Sequence, residues 1–284
     1  MLRRGRASGN AATAESDFRQ GAAVTAGTAI AGLAAARCAH PATFHRVTTM
    51  TTAYPIIVAL HGTVGVLALL TFWTAAFARK GSPLHRRVGQ GYLLAMLGII
   101  VTALPMAAHK HTQGQPVIAA FLGYLVVITA TGVWGAWRAI RDKHDVARYT
   151  GPVYAGFAWL SLLSGVAVFA LGVKAGSPLL MGFSVIGLFT GQDMLRKRRH
   201  RERLAAQPRW WLVEHYSAML GNGIATHIAF LSIGLPRLLP AVDGVALHYL
   251  GWFGPLVVAV IAKVLIDRRW KPRLKPAAPE LATA

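Results

Sequence analysis

The chain has 284 residues and a formal net charge of +20, from 30 Lys and Arg against 10 Asp and Glu. Hydrophobic residues make up 54% and charged residues 14%, where a soluble globular domain carries about 25% charged residues. This argues against a soluble enzyme. The apolar residues fall in blocks longer than the roughly 20 residues needed to cross about 30 Å of hydrocarbon, and the basic residues lie between and after them. That is how loops of a membrane protein are charged, so no nucleic-acid partner is expected. One cysteine, Cys38, excludes an internal disulfide. Arg37 precedes it where a lipoprotein cleavage site wants a small residue.

Residues 1–50 leave two readings. Arg3, Arg4 and Arg6, then Glu15 and Asp17, precede a weakly apolar stretch from Gly21 to Ala36. One reading is a tail, or an upstream extension with Met50 as the true start. The other is a signal-like segment or extra span. Seven spans follow, at about Tyr54–Ala78, Val88–Ala108, Pro116–Arg138, Pro152–Val173, Ser177–Leu195, Trp211–Gly234 and Gly244–Ile266. Pro105 is expected to kink the second. The blocks are apolar on all sides, without the ten-residue alternation of a barrel strand. Helices are therefore expected, since in lipid only helices and closed barrels satisfy their backbone groups.

Loop charges orient the bundle. The end where the first span finishes collects Arg79, Lys80, Arg86 and Arg87, then Arg138, Arg141, Lys143 and Arg148. It also collects the basic stretch from Arg196 to Arg209 and the residues from Lys263 onward. The opposite end holds Lys110, Lys174 and Arg237. The basic end should face the cytoplasm, making this a multi-pass protein of the cytoplasmic membrane. Residues 51–270 form the membrane domain and 271–284 a cytoplasmic tail.

Histidines are the polar feature of the spans. His61 and His227 lie at similar depths from one end. His85, just before the second span, and His215, just inside the sixth, match from the other. Two pairs suggest axial haem ligation. However, His215 and His227 are 12 residues apart, which sets them roughly 120° apart around one helix and disfavours two haems in one bundle. The structural alternative is that each histidine bonds a neighbouring helix or a headgroup. His215, Met219, Asn222 and Thr226 share one face of the sixth span. That face should point inward, for interhelical hydrogen bonds or as the lining of a substrate cavity. Arg196, Lys197, Arg198, Arg199, Arg201 and Arg203 should contact anionic lipid headgroups. Trp210, Trp211, Trp252 and Trp270 read as interfacial anchors. Glu214 and Asp193 lie near span ends, so no deep carboxylate speaks for a cation transporter. No phosphate loop, GxSxG elbow or HExxH site is present.

The segment HGTVGVLALLTFWTAAFARKGSPLHRRVGQGYLLAM, His61 to Met96, resembles a bacterial family of multi-spanning membrane proteins of unknown function. The shared features are His61 and Gly65 in an apolar helix, a basic turn, and Leu84, His85, Arg86 and Arg87 opening the next helix. GVWGAWRAIRDKHDVARY and EHYSAMLGNGIATHIAFLSIGLPRLLP resemble it more loosely. The resemblance implies a polytopic membrane protein, supplies no activity, and marks His61, His85 and His215 as family histidines. His227 has no match. There is a fainter likeness to membrane cytochromes that carry haem b.

An all-α bundle of about seven transmembrane helices is therefore expected. Three functions fit it: a haem b-binding or redox subunit, a small-molecule permease or lipid-interacting protein, and a scaffold in a membrane complex. The sequence leans away from an enzyme and names no oligomeric or complex partner.

Overall fold

Prolines open four of the long helices. In the computed structural model, Pro83, Pro116, Pro152 and Pro178 each sit in the first turn of a helix, where the missing N–H removes no intrahelical bond. Ser82 and Ser177 precede two of them and accept the backbone N–H of His85 and Leu180. The turns before or between helices use Gly81, Gly114 and Gly176 at φ 81°, 72° and 60°, left-handed values that glycine adopts without a Cβ clash.

The structure describes residues 41–239 and 244–270. The chain divides into Met1–Thr52 and Ala53–Ala284, and the second unit carries the bundle. Its helices are α1 (Pro41–Phe77, of which Ala53–Phe77 lies in this unit), α2 (Pro83–Thr112), α3 (Pro116–Arg141), the short α4 (Val146–Tyr149) and α5 (Pro152–Lys174). They continue with α6 (Pro178–Arg199), the short α7 (Arg201–Ala205), α8 (Trp210–Ala229), a π-helical turn Phe230–Gly234, α9 (Leu235–Leu238) and α10 (Val245–Trp270). Seven segments are long and apolar enough to cross a membrane, as the sequence implies. Both readings of residues 1–50 fall outside the described residues up to residue 40, as does the tail after residue 270.

The hydropathy boundaries are short at several ends. α2 starts at Pro83 and ends at Thr112, so His85, Arg86 and Arg87 belong to its first turns and His109 to His111 to its last. Basic residues at a span end remain helical because their long stems reach past the hydrocarbon. Pro105 lies inside α2 without ending it. The π-turn has its own cause. Pro236 cannot donate to the preceding turn, and the Leu235 N–H bonds to Phe230 O one residue further back than in an α-helix.

α3 sits centrally, packing on α2, α5 and α8, and α10 packs on α8. α5 and α6 approach most closely. A Cβ built on Gly187 would come within 2.7 Å of Ser161 O, and one on Gly191 within 2.6 Å of Ala158 O. Such backbone proximity is how helices gain packing energy where lipid is as apolar as their side chains. α1 and the last span are peripheral, with only 6% of their most apolar window buried in the chain.

Candidate functional site

The four candidate histidines share one hydrogen-bond arrangement. His85 Nδ1 lies 3.0 Å from the carbonyl of Ala75 on α1. His215 Nδ1 lies 3.0 Å from the carbonyl of Ala136 on α3. His227 Nδ1 lies 2.7 Å from Gly223 O, one turn back on α8. A carbonyl only accepts, so each Nδ1 carries the hydrogen. His61 Nδ1 lies 2.8 Å from Thr102 Oγ1. That hydroxyl spends its own hydrogen on the carbonyls of Gly98 and Ile99, so here too Nδ1 donates. In the neutral ring the lone pair then sits on Nε2, the tautomer that metal-ligating histidines use when a backbone oxygen holds the other nitrogen.

His85 is held near the C-terminal end of α1 and His215 near that of α3, so both stand at the end of the bundle where the basic loops gather. They come from α2 and α8, 130 residues apart, and both are half-buried. One turn beyond His85, Gly89 is half-buried, yet a Cβ built on it would meet nothing within 4 Å. The wall of α2 beside His85 is therefore open.

The other pair is not formed. His227 lies against Phe72 and Trp73, with ring centroids 5.3 and 5.4 Å away. His61 is 11 residues before Phe72 on the same helix, about 16 Å along its axis. Equal distance from the span ends misleads here because α1 and α8 are offset along their lengths. His227 Nε2 is buried without a partner in the structure. Among the described residues no group of three or more His, Cys, Asp or Glu could hold a bare metal ion. Two histidines suffice only where the ligand brings most of the iron's donors itself, as a porphyrin does.

The inward face of α8 is where the sequence puts it, but it is filled. Thr226 Oγ1 lies 2.8 Å from Asn222 O, 3.1 Å from Tyr92 Oη and 3.3 Å from Met96 Sδ. Asn222 fills the notch left by Gly132, its Oδ1 2.7 Å from where a Cβ would stand. Met219 packs on the cluster of Ala68, Tyr92, Met96 and Ala136. These residues do interhelical packing and line no chamber. A shallow hollow of about 380 Å³ lies between α2 and α3 at the opposite end, lined by Ala107, His111, Pro116, Ala119 and Ala120.

The basic stretch is divided. Arg196, Arg198, Arg199, Arg201 and Arg203 are exposed. Lys197 instead turns inward, with Nζ 2.6 Å from both Asp193 and Glu214, so it is not placed for a headgroup. Tyr149 donates to Glu214 at 3.3 Å, stacks on Trp134 and meets Tyr154 and Trp210 with tilted rings. Burial first, then the Glu214 charge, pushes the Tyr149 phenol well above its ordinary value. Trp210 is 5% exposed in this cluster, so it is a core residue and not an interfacial anchor. Trp211 packs half-buried beside it, and Trp252 lies edge-on to Phe183. The buried network of Asp193, Lys197, Glu214 and Tyr149 is absent from the sequence reading. The only signal for it is that Lys197 follows Asp193 by one helical turn.

Compared with protein-family models, curated proteins and solved structures, the chain matches none.

Proposed function

We propose that this chain is a haem b-binding redox subunit of the cytoplasmic membrane, with His85 and His215 as the residues that would hold the haem. The observation that carries the reading is the shared pinning of the two rings. Each Nδ1 hydrogen is given to a backbone carbonyl of a neighbouring helix, which turns each Nε2 away from that bond at the same end of the bundle. Gly89 leaves room beside His85 for a flat group. When bound there, haem supplies one-electron transfer close to one membrane face. The protein's own contribution is to hold the two rings in one tautomer and orientation. The orientation in the membrane follows from charge, since the end bearing both histidines carries the basic loops and should lie in the cytoplasm. Filled packing around Met219, Asn222 and Thr226 gives the permease reading no support.

The test is an absorbance spectrum of the detergent-purified protein, expressed with ample haem, before and after dithionite. A sharp reduced band is expected, lost in His85→Ala and in His215→Ala and kept in His61→Ala and His227→Ala. A flat spectrum from the wild-type chain overturns the reading.

A further inference from the structure

The turn between α1 and α2 concentrates positive charge without a counterion. Arg79, Lys80, Arg86 and Arg87 fall within nine residues that include no acid. Elsewhere at the same end, several cations are met from within the chain. Asp142 takes Arg138 and Arg148, Asp193 takes Arg196 and Lys197, Glu214 also takes Lys197, and Asp267 takes Lys263. Among the described residues no acid pairs with the α1–α2 turn.

Two of its cations are shaped by the turn itself. Lys80 folds back to give Nζ hydrogens to the carbonyls of Ala75 and Ala76 at 3.0 and 2.5 Å. Arg86 gives its Nε hydrogen to Gly81 O at 2.9 Å. That bond fixes the guanidinium over the turn while leaving its two terminal amino groups for another acceptor. Arg79, Arg86 and Arg87 are all exposed. Next to them stand two large, exposed apolar side chains, Phe77 at 81% and Leu84 at 56% exposure.

We propose that this turn is the headgroup site of an anionic phospholipid, its phosphate held by Arg79, Arg86 and Arg87 and its acyl chains lying on Phe77 and Leu84. Guanidinium groups suit phosphate because they present paired N–H donors to its oxygens. The apolar shelf selects a lipid over an acidic protein or a free anion. Phe77 ends a helix long enough to span a bilayer, so the charges stand where headgroups lie and the rings where acyl chains begin. The site is independent of the haem reading.

The experiment is native mass spectrometry of the full chain released from nanodiscs of mixed phosphatidylglycerol and phosphatidylcholine. The wild type should retain phosphatidylglycerol preferentially. Arg79→Gln with Arg87→Gln, which leaves the Arg86 bond to Gly81 in place, should weaken that retention by about fivefold per arginine. Arg198→Gln with Arg199→Gln, which lack the apolar shelf of Phe77 and Leu84, should weaken it clearly less. If the first double variant misfolds, Phe77→Ser with Leu84→Ser should also reduce retention while keeping all the charge. Equal retention of both lipids by the wild type, or an equal loss from the two arginine pairs, overturns the proposal. Displacement of the lipid by millimolar inorganic phosphate at constant ionic strength would assign the site to a free anion and also overturn it.

Discussion

His215 on α8 donates its Nδ1 hydrogen to the carbonyl of Ala136 on α3 at 3.0 Å. Ala136 is fully buried, so the ring is anchored to the central helix of the bundle. His85 does the same to Ala75 on α1. Nitrogen-15 NMR of histidine-labelled protein should find the hydrogen of both rings on Nδ1. A hydrogen on Nε2 in either ring would remove the basis for pairing them as ligands.

His61 joins α1 to α2 through Thr102, in a hydrogen bond at 2.8 Å whose Thr102 oxygen also bonds back into its own helix. Interhelical bonds of this kind contribute around 1 kcal/mol in membranes. His61→Ala and Thr102→Val should each destabilise the bundle by about 1 kcal/mol, and the double variant by less than the sum. Thermal unfolding in one detergent measures the cycle. Full additivity would show that the two side chains act separately.

Lys197 holds apart two carboxylates that are themselves mostly covered, Asp193 at 18% and Glu214 at 12% side-chain exposure. Removing one partner of a buried charge group leaves the others uncompensated. Lys197→Ala should cost about 2 kcal/mol, allowing for its partial exposure to solvent. Arg198→Ala, on the exposed side of the same helix, should be nearly neutral. Equal effects in unfolding experiments would mean that Lys197 points outward like its neighbours.

Tyr149 predicts an alkaline limit. Burial and the Glu214 charge raise its phenol in the native state, whereas an unfolded tyrosine ionises near pH 10. A raised native value favours the protonated form. The stabilisation is therefore complete below about pH 10 and lost as pH climbs through the native value. Tyr149→Phe should lower stability at neutral pH by about 1 kcal/mol, the worth of one hydrogen bond. Its melting temperature should then fall less steeply than that of the wild type above pH 10. Parallel alkaline slopes would assign the loss to other groups.

The helix count was legible because a span is a run of apolar residues, and runs survive as one-dimensional signals. Helix ends were less so. Arg86, Arg87 and Arg196 to Arg199 look like loop by hydropathy but are helix by backbone. The inward face of α8 was also legible, since His215, Met219, Asn222 and Thr226 recur at helical spacing. Whether that face encloses a chamber depends on what Tyr92, Met96 and Gly132 place opposite it, and no spacing within α8 encodes that. Depth matching failed for His61 and His227 because it assumes that helices start level. The Lys197 network was hidden for a related reason. Its members lie on α4, α6 and α8, and each charge alone looks like an ordinary boundary charge.

The closest helix contact gives the sharpest test of the packing. α5 and α6 meet backbone to backbone, and Gly187 and Gly191 face Ser161 O and Ala158 O with no space for a methyl group. A methyl at either position must push the helices apart by several tenths of an ångström, opening contacts along both. Gly187 is further boxed in by Tyr124. The Tyr124 hydroxyl accepts the Gly187 N–H at 2.8 Å and donates to Phe183 O at 2.7 Å. Gly187→Ala should therefore displace that ring as well as the helix. Overpacking of this kind costs about 1–3 kcal/mol. Gly182 lies on the same helix, where an added Cβ would meet nothing within 4 Å, so Gly182→Ala should be neutral or slightly stabilising through helix propensity. Unfolding of the three single variants in one detergent compares them directly. If Gly182→Ala were as damaging as Gly187→Ala and Gly191→Ala, the loss would reflect the glycines' backbone freedom, and the close α5–α6 contact would not explain their presence.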